Sequence, residues 1–192
     1  MSRPQTSVRR VEQALCPTVL DLWTSYRVEA GMSPDAAART ASEAAVRTAL
    51  AGTDVTAFVA FVEGRSAGLA VVSDPSGNPF AEAKALTLDL LYVLREERRH
   101  GVARALMAAV TAYADRAGAD QVVSNVPGKG RDANRFFARL GFTPMSTRRL
   151  VTTTVLHRRL VGEAGTGHSL DRVLARRRSA RIRAAQQGGA AH

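Results

Sequence analysis

Lysine is almost missing from this chain: Lys84 and Lys129 are the only two, so the formal net charge of +10 over 192 residues is carried almost wholly by arginine. Strong basicity favours phosphate-bearing partners such as coenzymes or nucleic acid, although net charge bears on association and not on fold. Cysteine is reduced to Cys16. A single cysteine excludes an intramolecular disulfide framework, and no paired Cys/His spacing offers a zinc site. His100, His157 and His168 also lack ligand-like spacing, so no metal is expected. Long apolar runs are absent as well: "MSRPQTSVRRVEQAL" has no signal-type apolar core, and nowhere do about 18 apolar residues follow one another. The expectation is a cytoplasmic protein without membrane contact, either monomer or homodimer. Common catalytic signatures are missing too. There is no G-x-x-x-x-G-K-[ST], G-x-S-x-G or H-E-x-x-H, and "PGKGR" at 127–131 is a short basic glycine loop.

What is present is a 45% hydrophobic chain able to bury a core, one domain with an appendage. Residues 7–13 suit a first strand, and Val19, Leu22, Trp23 and Tyr26 then recur at helical spacing up to Gly31. A second helix is expected over 33–52, with Ser33 as N-cap, Pro34 in the first turn and Gly52 past the end. "VTAFVAFVEGRSAGLAVVSD" reads as a hairpin turning near Glu63-Gly64-Arg65, and "DPSGNPF" as a loop. "KALTLDLLYVL" is apolar enough to be a central strand, followed by a helix over 102–117 with Gly118 beyond it. "DQVVSNV" reads as a strand, "ANRFFARL" as a short helix, and "FTPMSTRRLVTTTVLH" as one or two closing strands. The order is α/β, with a parallel strand pair around the 102–117 crossover. Residues 1–161 form the expected domain and 162–192 a linker and basic tail.

The stretch "REERRHGVARALM" packs Arg95, Arg98, Arg99, His100 and Arg104 around Gly101. It can be a solvated helix entrance. Alternatively, the first N–H groups of the helix, unpartnered and at the positive end of its dipole, form an anion site beside which Gly101 and Ala103 keep the backbone open. Asp89 is a lone carboxylate in an apolar strand, where burial is costly unless it is hydrogen-bonded or functional.

"LYVLREERRHGVARALM" resembles the coenzyme motif of the GNAT superfamily of acyl-CoA-dependent N-acyltransferases. Leu91, Tyr92 and Val93 match its strand end, Arg98, Gly101 and Ala103 its R-x-x-G-x-G/A loop, and Leu106-Met107 its helix. "ANRFFARLGF" looks like the later A-x-x-hydrophobic-aromatic-x-x-L-G-F element. The departures are Arg95 for a frequent proline, Arg99 for a frequent glycine, and Phe137 for a tyrosine that often protonates the departing thiolate.

The resemblance, which covers roughly residues 7–156, implies a mixed central sheet with splayed parallel strands flanked by helices. It also implies acetyl-CoA as co-substrate and transfer of its acetyl group to an amine acceptor. Leu91, Tyr92 and Val93 would meet the pantetheine arm. Arg98, Arg99, His100, Gly101, Val102, Ala103 and Arg104 would surround the diphosphate, with Asn134, and also Asn125, nearby. Asp89 would be the base for the amine or a structural hydrogen-bonding group. Tyr92 and Tyr113 are replacement acids or packing residues. A second reading is a CoA-binding module that lost turnover. In either case the tail from His157 onward, net +6, could dock on its own domain or touch nucleic acid through phosphates, without aromatics for base stacking.

Overall fold

The computed structural model describes residues 5–74, 84–126, 130–145 and 150–160. Contacts divide the chain into a unit over Met1–Phe137 and a second over Ala138–His192. The first unit is built on a five-stranded sheet in the order β1 (Thr6–Arg10), β2 (Val55–Val62), β3 (Arg65–Ser73), β4 (Ala85–Val93), β5 (Gln121–Ser124). The first four strands are antiparallel, and β4 and β5 run parallel. This is a mixed α/β fold, with helices on both faces of a mixed sheet.

The β2–β3 hairpin turns where expected, at Glu63 and Gly64, whose positive φ angles of 50° and 81° suit the twist of adjoining strands. One face of the sheet packs Ala57, Val59, Leu69, Leu90 and Tyr92 against Val19 and Leu22 of α1 (Cys16–Glu29). The other carries α4 (Val102–Ala117), which crosses from β4 to β5 and buries Val102, Leu106, Met107, Val110 and Ala114. Gly118, at φ 67°, ends α4, and the Lys84 ammonium donates to the Ala117 carbonyl, a cation at the negative end of the helix.

Three expectations are corrected. The first strand stops at Arg10, and a single 3-10 turn, Gln13–Leu15, leads into α1. The helix expected over 33–52 is two helices, α2 (Pro34–Arg39) and α3 (Glu43–Ala51). The break follows from hydroxyl chemistry: Thr40 Oγ1 donates to the Ala37 carbonyl, and Ser42 starts a new helix by accepting from the Ala45 N–H. The third correction concerns the closing strands. The described residues of 142–152 form no strand, and 153–160 are helical. Thr152 accepts from the Val155 N–H through its hydroxyl and from the Leu156 N–H through its carbonyl, so a β-branched run is turned into a helix by its cap. Residues 161–192, and with them the expected linker and basic tail, lie outside the described residues. Among the described residues, no helix is long and apolar enough to cross a membrane.

Gly68 seats α4. It lies opposite Val93 in the β3–β4 ladder, and a Cβ there would come within 2.7 Å of the Tyr92 carbonyl oxygen and 3.2 Å of Leu106 Cδ1 and Val102 Cγ1. The first turn of the helix therefore rests on bare backbone beside the end of β4. Gly68→Ala is expected to destabilise the protein by about 1–3 kcal/mol, the usual cost of overpacking. A drop in the thermal unfolding midpoint checks this; an unchanged midpoint would mean that the helix seat yields freely.

Candidate active site

The site begins with one extra residue in β4. Val72 pairs with Leu88 and Val71 with Leu90, so Asp89 has no opposite number and forms a bulge. Side chains alternate faces along a strand, and an inserted residue exchanges the faces beyond it. Leu88 accordingly lies with Val72, whereas Leu90 and Tyr92 join Leu69 on the α1 face. The β4–β5 ladder runs from Ala85/Gln121 to Leu88/Ser124 and stops at the bulge, while β4 continues to Val93.

The direction of the freed amides follows from the last bond to β3. The Leu94 N–H donates to the Ala67 carbonyl at 3.0 Å. Alternation then assigns the amide groups of Tyr92 to β3 and turns those of Leu91 and Val93 to the opposite edge, where the ladder with β5 has ended. A cleft of about 490 Å³ opens at this parting, between Leu88–Tyr92 on one side and Ser124–Val126 on the other. Tyr26, Glu29, Ala30, Arg98, Gly130, Ala133 and Phe137 complete its lining.

Past β4, a 3-10 turn at Arg95–Glu97 leads to two left-handed residues, Arg99 at φ 66° and Gly101 at φ 88°. Gly101 is the N-cap of α4, with no side-chain cap bond and no acidic residue in the first turn. The first intrahelical bond runs from the Ala105 N–H to the Gly101 carbonyl, so the N–H groups of Val102, Ala103 and Arg104 have no partner within the helix. A Cβ on Gly101 would meet no other atom within 4 Å. Within the protein, glycine is needed there for its backbone angle, and the space beside it is open. Arg99 takes up a conformation that disfavours side chains, which is where the family motif commonly has glycine.

Arg98, expected at the diphosphate, makes two contacts within the protein. Its Nε donates to the Val93 carbonyl at 3.0 Å, and its terminal nitrogen pairs with Glu29, the last residue of α1. The Glu29 carboxylate also neighbours Tyr92, which is 7% exposed and lines the same cleft. Burial, then the neighbouring Glu29 carboxylate, pushes the Tyr92 phenol up to about 12. Arg98 acts in the opposite direction and Glu96 adds slightly to the rise. Tyr26 stacks edge-on against Tyr92 at 5.7 Å.

Asp89, Leu91, Tyr92 and Arg98 thus meet in one cleft, with Asn125 and Phe137. Val93, Arg99, His100, Gly101, Val102, Ala103 and Arg104 follow in the adjoining strand end, loop and helix start. Asp89 is exposed, contrary to the burial expected of it, because the bulge releases it from the sheet. Asn134 is exposed on α5 (Arg131–Arg139) and does not line the cleft, although Ala133 and Phe137 of the same helix do. Tyr113 is placed away from it: its hydroxyl accepts from Thr56 Oγ1 at 3.1 Å and its ring packs on Phe58. Sequence reasoning missed Tyr26 and Glu29. Their spacing of three puts them on one helix face, but only packing reveals that this face borders the cleft.

The model of the family described as "Acetyltransferase (GNAT) family" matches residues 17–142. No curated protein matches the chain by sequence. Among solved structures, the aminoglycoside N-acetyltransferase AAC(6')-Iy in complex with CoA is 19% identical with a TM-score of 0.64, covering 78% of this chain and 95% of its own. A ribosomal-protein-alanine N-acetyltransferase from Brucella melitensis biovar Abortus 2308 is 18% identical with a TM-score of 0.63, covering 77% and 98%. An aminoglycoside acetyltransferase from an uncultured soil metagenomic sample is 16% identical with a TM-score of 0.68, covering 78% and 99%. A bulged strand that parts from its parallel neighbour, a helix whose first amides are left open beside it, and a family match over most of the same residues lead to one assignment: the chain belongs to the acetyltransferase (GNAT) family of acyl-CoA-dependent N-acyltransferase enzymes.

Proposed function

We propose that the protein transfers an acetyl group from acetyl-CoA to an amine. The parting of β4 from β5 at Asp89 carries this reading, because it supplies strand edges without a strand to fill them. The pantetheine arm completes the edge of β4 at Leu91 and Val93, and the diphosphate lies on the N–H groups of Gly101–Arg104. Two supports for the anion site are independent of side-chain charge: the helix dipole and the left-handed backbone at Gly101. That CoA is bound by a fold relative, and that the named relatives acetylate aminoglycosides or a ribosomal-protein alanine, supports an amine acceptor.

In the reaction, an amine must first lose a proton, since alkylammonium groups titrate near ~10. Asp89, exposed in the cleft, is the base, directly or through water. The neutral amine attacks the thioester carbonyl, and collapse of the adduct expels the CoA thiolate. Phe137 borders the cleft where family members often carry a phenol, and it has no proton to give. Tyr92 does not replace it. Burial and the Glu29 carboxylate push its phenol up to about 12, which favours the protonated form over donation. The thiolate therefore leaves without a side-chain acid, as its own acidity permits.

The alternative, coenzyme binding without turnover, draws on this missing acid. Release of free thiol from acetyl-CoA across a panel of small amines and peptide N-termini decides between them: turnover that falls by about 10²-fold or more in Asp89→Asn is expected. Binding with no turnover on any amine would favour the alternative. Gly101→Glu places a carboxylate in the anion site and is expected to abolish calorimetric acetyl-CoA binding with the circular dichroism unchanged. Gly118→Glu imposes similar backbone strain at the other end of α4 and retains binding. Phe137→Tyr supplies the phenol and should raise kcat, by at most the ~10²-fold of a well-placed acid. An unaltered kcat with intact coenzyme affinity would place the limiting barrier at another step.

A further inference from the structure

We infer that Glu29 is a positioning residue for the coenzyme loop, acting through Arg98; the inference rests on the proposed acetyl-CoA site and adds a residue of α1 to its machinery. Arg98 spans the base of the loop. Its Nε holds the Val93 carbonyl, closing the chain around the turn in which the Glu97 N–H donates to the Leu94 carbonyl at 2.9 Å. Immediately beyond it come the two left-handed residues, Arg99 and Gly101, that aim the first amides of α4. A guanidinium tethered at one point could swing away; the ion pair to Glu29 fixes the other end of the fork. Glu29 lines the same cleft as Tyr92, a buried residue of the strand that bears the proposed coenzyme edge. The chain of contacts runs from α1 through a carboxylate and a guanidinium to the strand end and the loop.

The pair is solvent-exposed on both sides, at 43% for Arg98 and 37% for Glu29, so it contributes little to global stability. Its effect is local order where the backbone holds unfavourable angles. This separates the positioning role from simple electrostatics by sign. Glu29 brings a negative charge close to an anion site, so removing it should strengthen the binding of an anionic coenzyme if charge alone mattered. If positioning matters, removal weakens binding.

Calorimetry with acetyl-CoA and amide hydrogen exchange of the uncomplexed protein test the inference on wild type, Glu29→Ala, Glu29→Gln and the control Glu43→Ala. The control breaks another exposed pair, Glu43 with Arg47 on α3. Glu29→Ala should raise the acetyl-CoA Kd by up to about fivefold, the ceiling for an exposed ion pair, and speed exchange over residues 97–101. Glu29→Gln, whose amide oxygen still accepts from Arg98, should recover much of the affinity, and Glu43→Ala should match wild type in both measurements. An unchanged or tighter Kd in Glu29→Ala overturns the inference. So does unaltered exchange, or a change confined to the KM of the acceptor. Wild-type protein that fails to bind acetyl-CoA overturns the coenzyme reading and this extension with it; normal wild-type binding with an indifferent Glu29→Ala overturns the extension alone.

Discussion

The structure depends on the bulge at Asp89. Without it, Leu90 and Tyr92 would lie on the α4 face beyond Leu86 and Leu88, and the cluster with Val19, Leu22 and Leu69 would lose two of its members. One unpaired residue therefore determines which helix each half of β4 packs against. It also coincides with the last β4–β5 pair, so the strand that continues has an open edge at Leu91, which lines the cleft, while the Val93 carbonyl beyond it accepts from Arg98. Core packing and the opening of the site are two consequences of the same backbone irregularity.

The second element of the site is the seat of α4. Gly68 lets the helix approach the sheet, and Gly101 supplies the turn that starts it at the end of β4. Nearby arginines attract attention in the sequence, yet one of them, Arg98, binds a carbonyl and a carboxylate. What the loop offers an anion is chiefly backbone N–H, set in direction by φ angles and reinforced by the dipole of a 16-residue helix. Charge raises local anion concentration; geometry selects the diphosphate in the proposed reading.

The chemistry opposite that loop is economical in acids. Tyr92 is close but held protonated by burial and Glu29, Tyr113 is committed to Thr56 and Phe58, and Phe137 is inert. A thiolate is a good enough leaving group for such a cleft to function, provided the amine arrives neutral. This places the weight of the proposed mechanism on deprotonation of the acceptor and on orientation of the thioester.

Much of this was legible in the residues themselves. The hairpin, the strand over 85–93, the helix over 102–117 with glycines at both ends, and the GNAT motif were all local patterns, set by periodicity and by backbone angles that glycine permits. The break at Thr40–Ser42 and the helix after Thr152 were readable in principle, but hydroxyl caps competed there with an apolar or β-branched run that suggested otherwise. The bulge was not readable: burial along β4 keeps an unbroken period of two through Asp89, and only the partner strand reveals that the faces have exchanged. Nor could the sequence show that Arg98 turns back to Val93 and Glu29, 69 residues away, because the choice among exposed arginines depends on which carboxylate the fold brings near. The sequence by itself determined the hairpin, the central strand, α4 and the family, which rest on local conformation; tertiary structure decided register, exposure and the partners of each charge, which rest on contacts between segments distant along the chain.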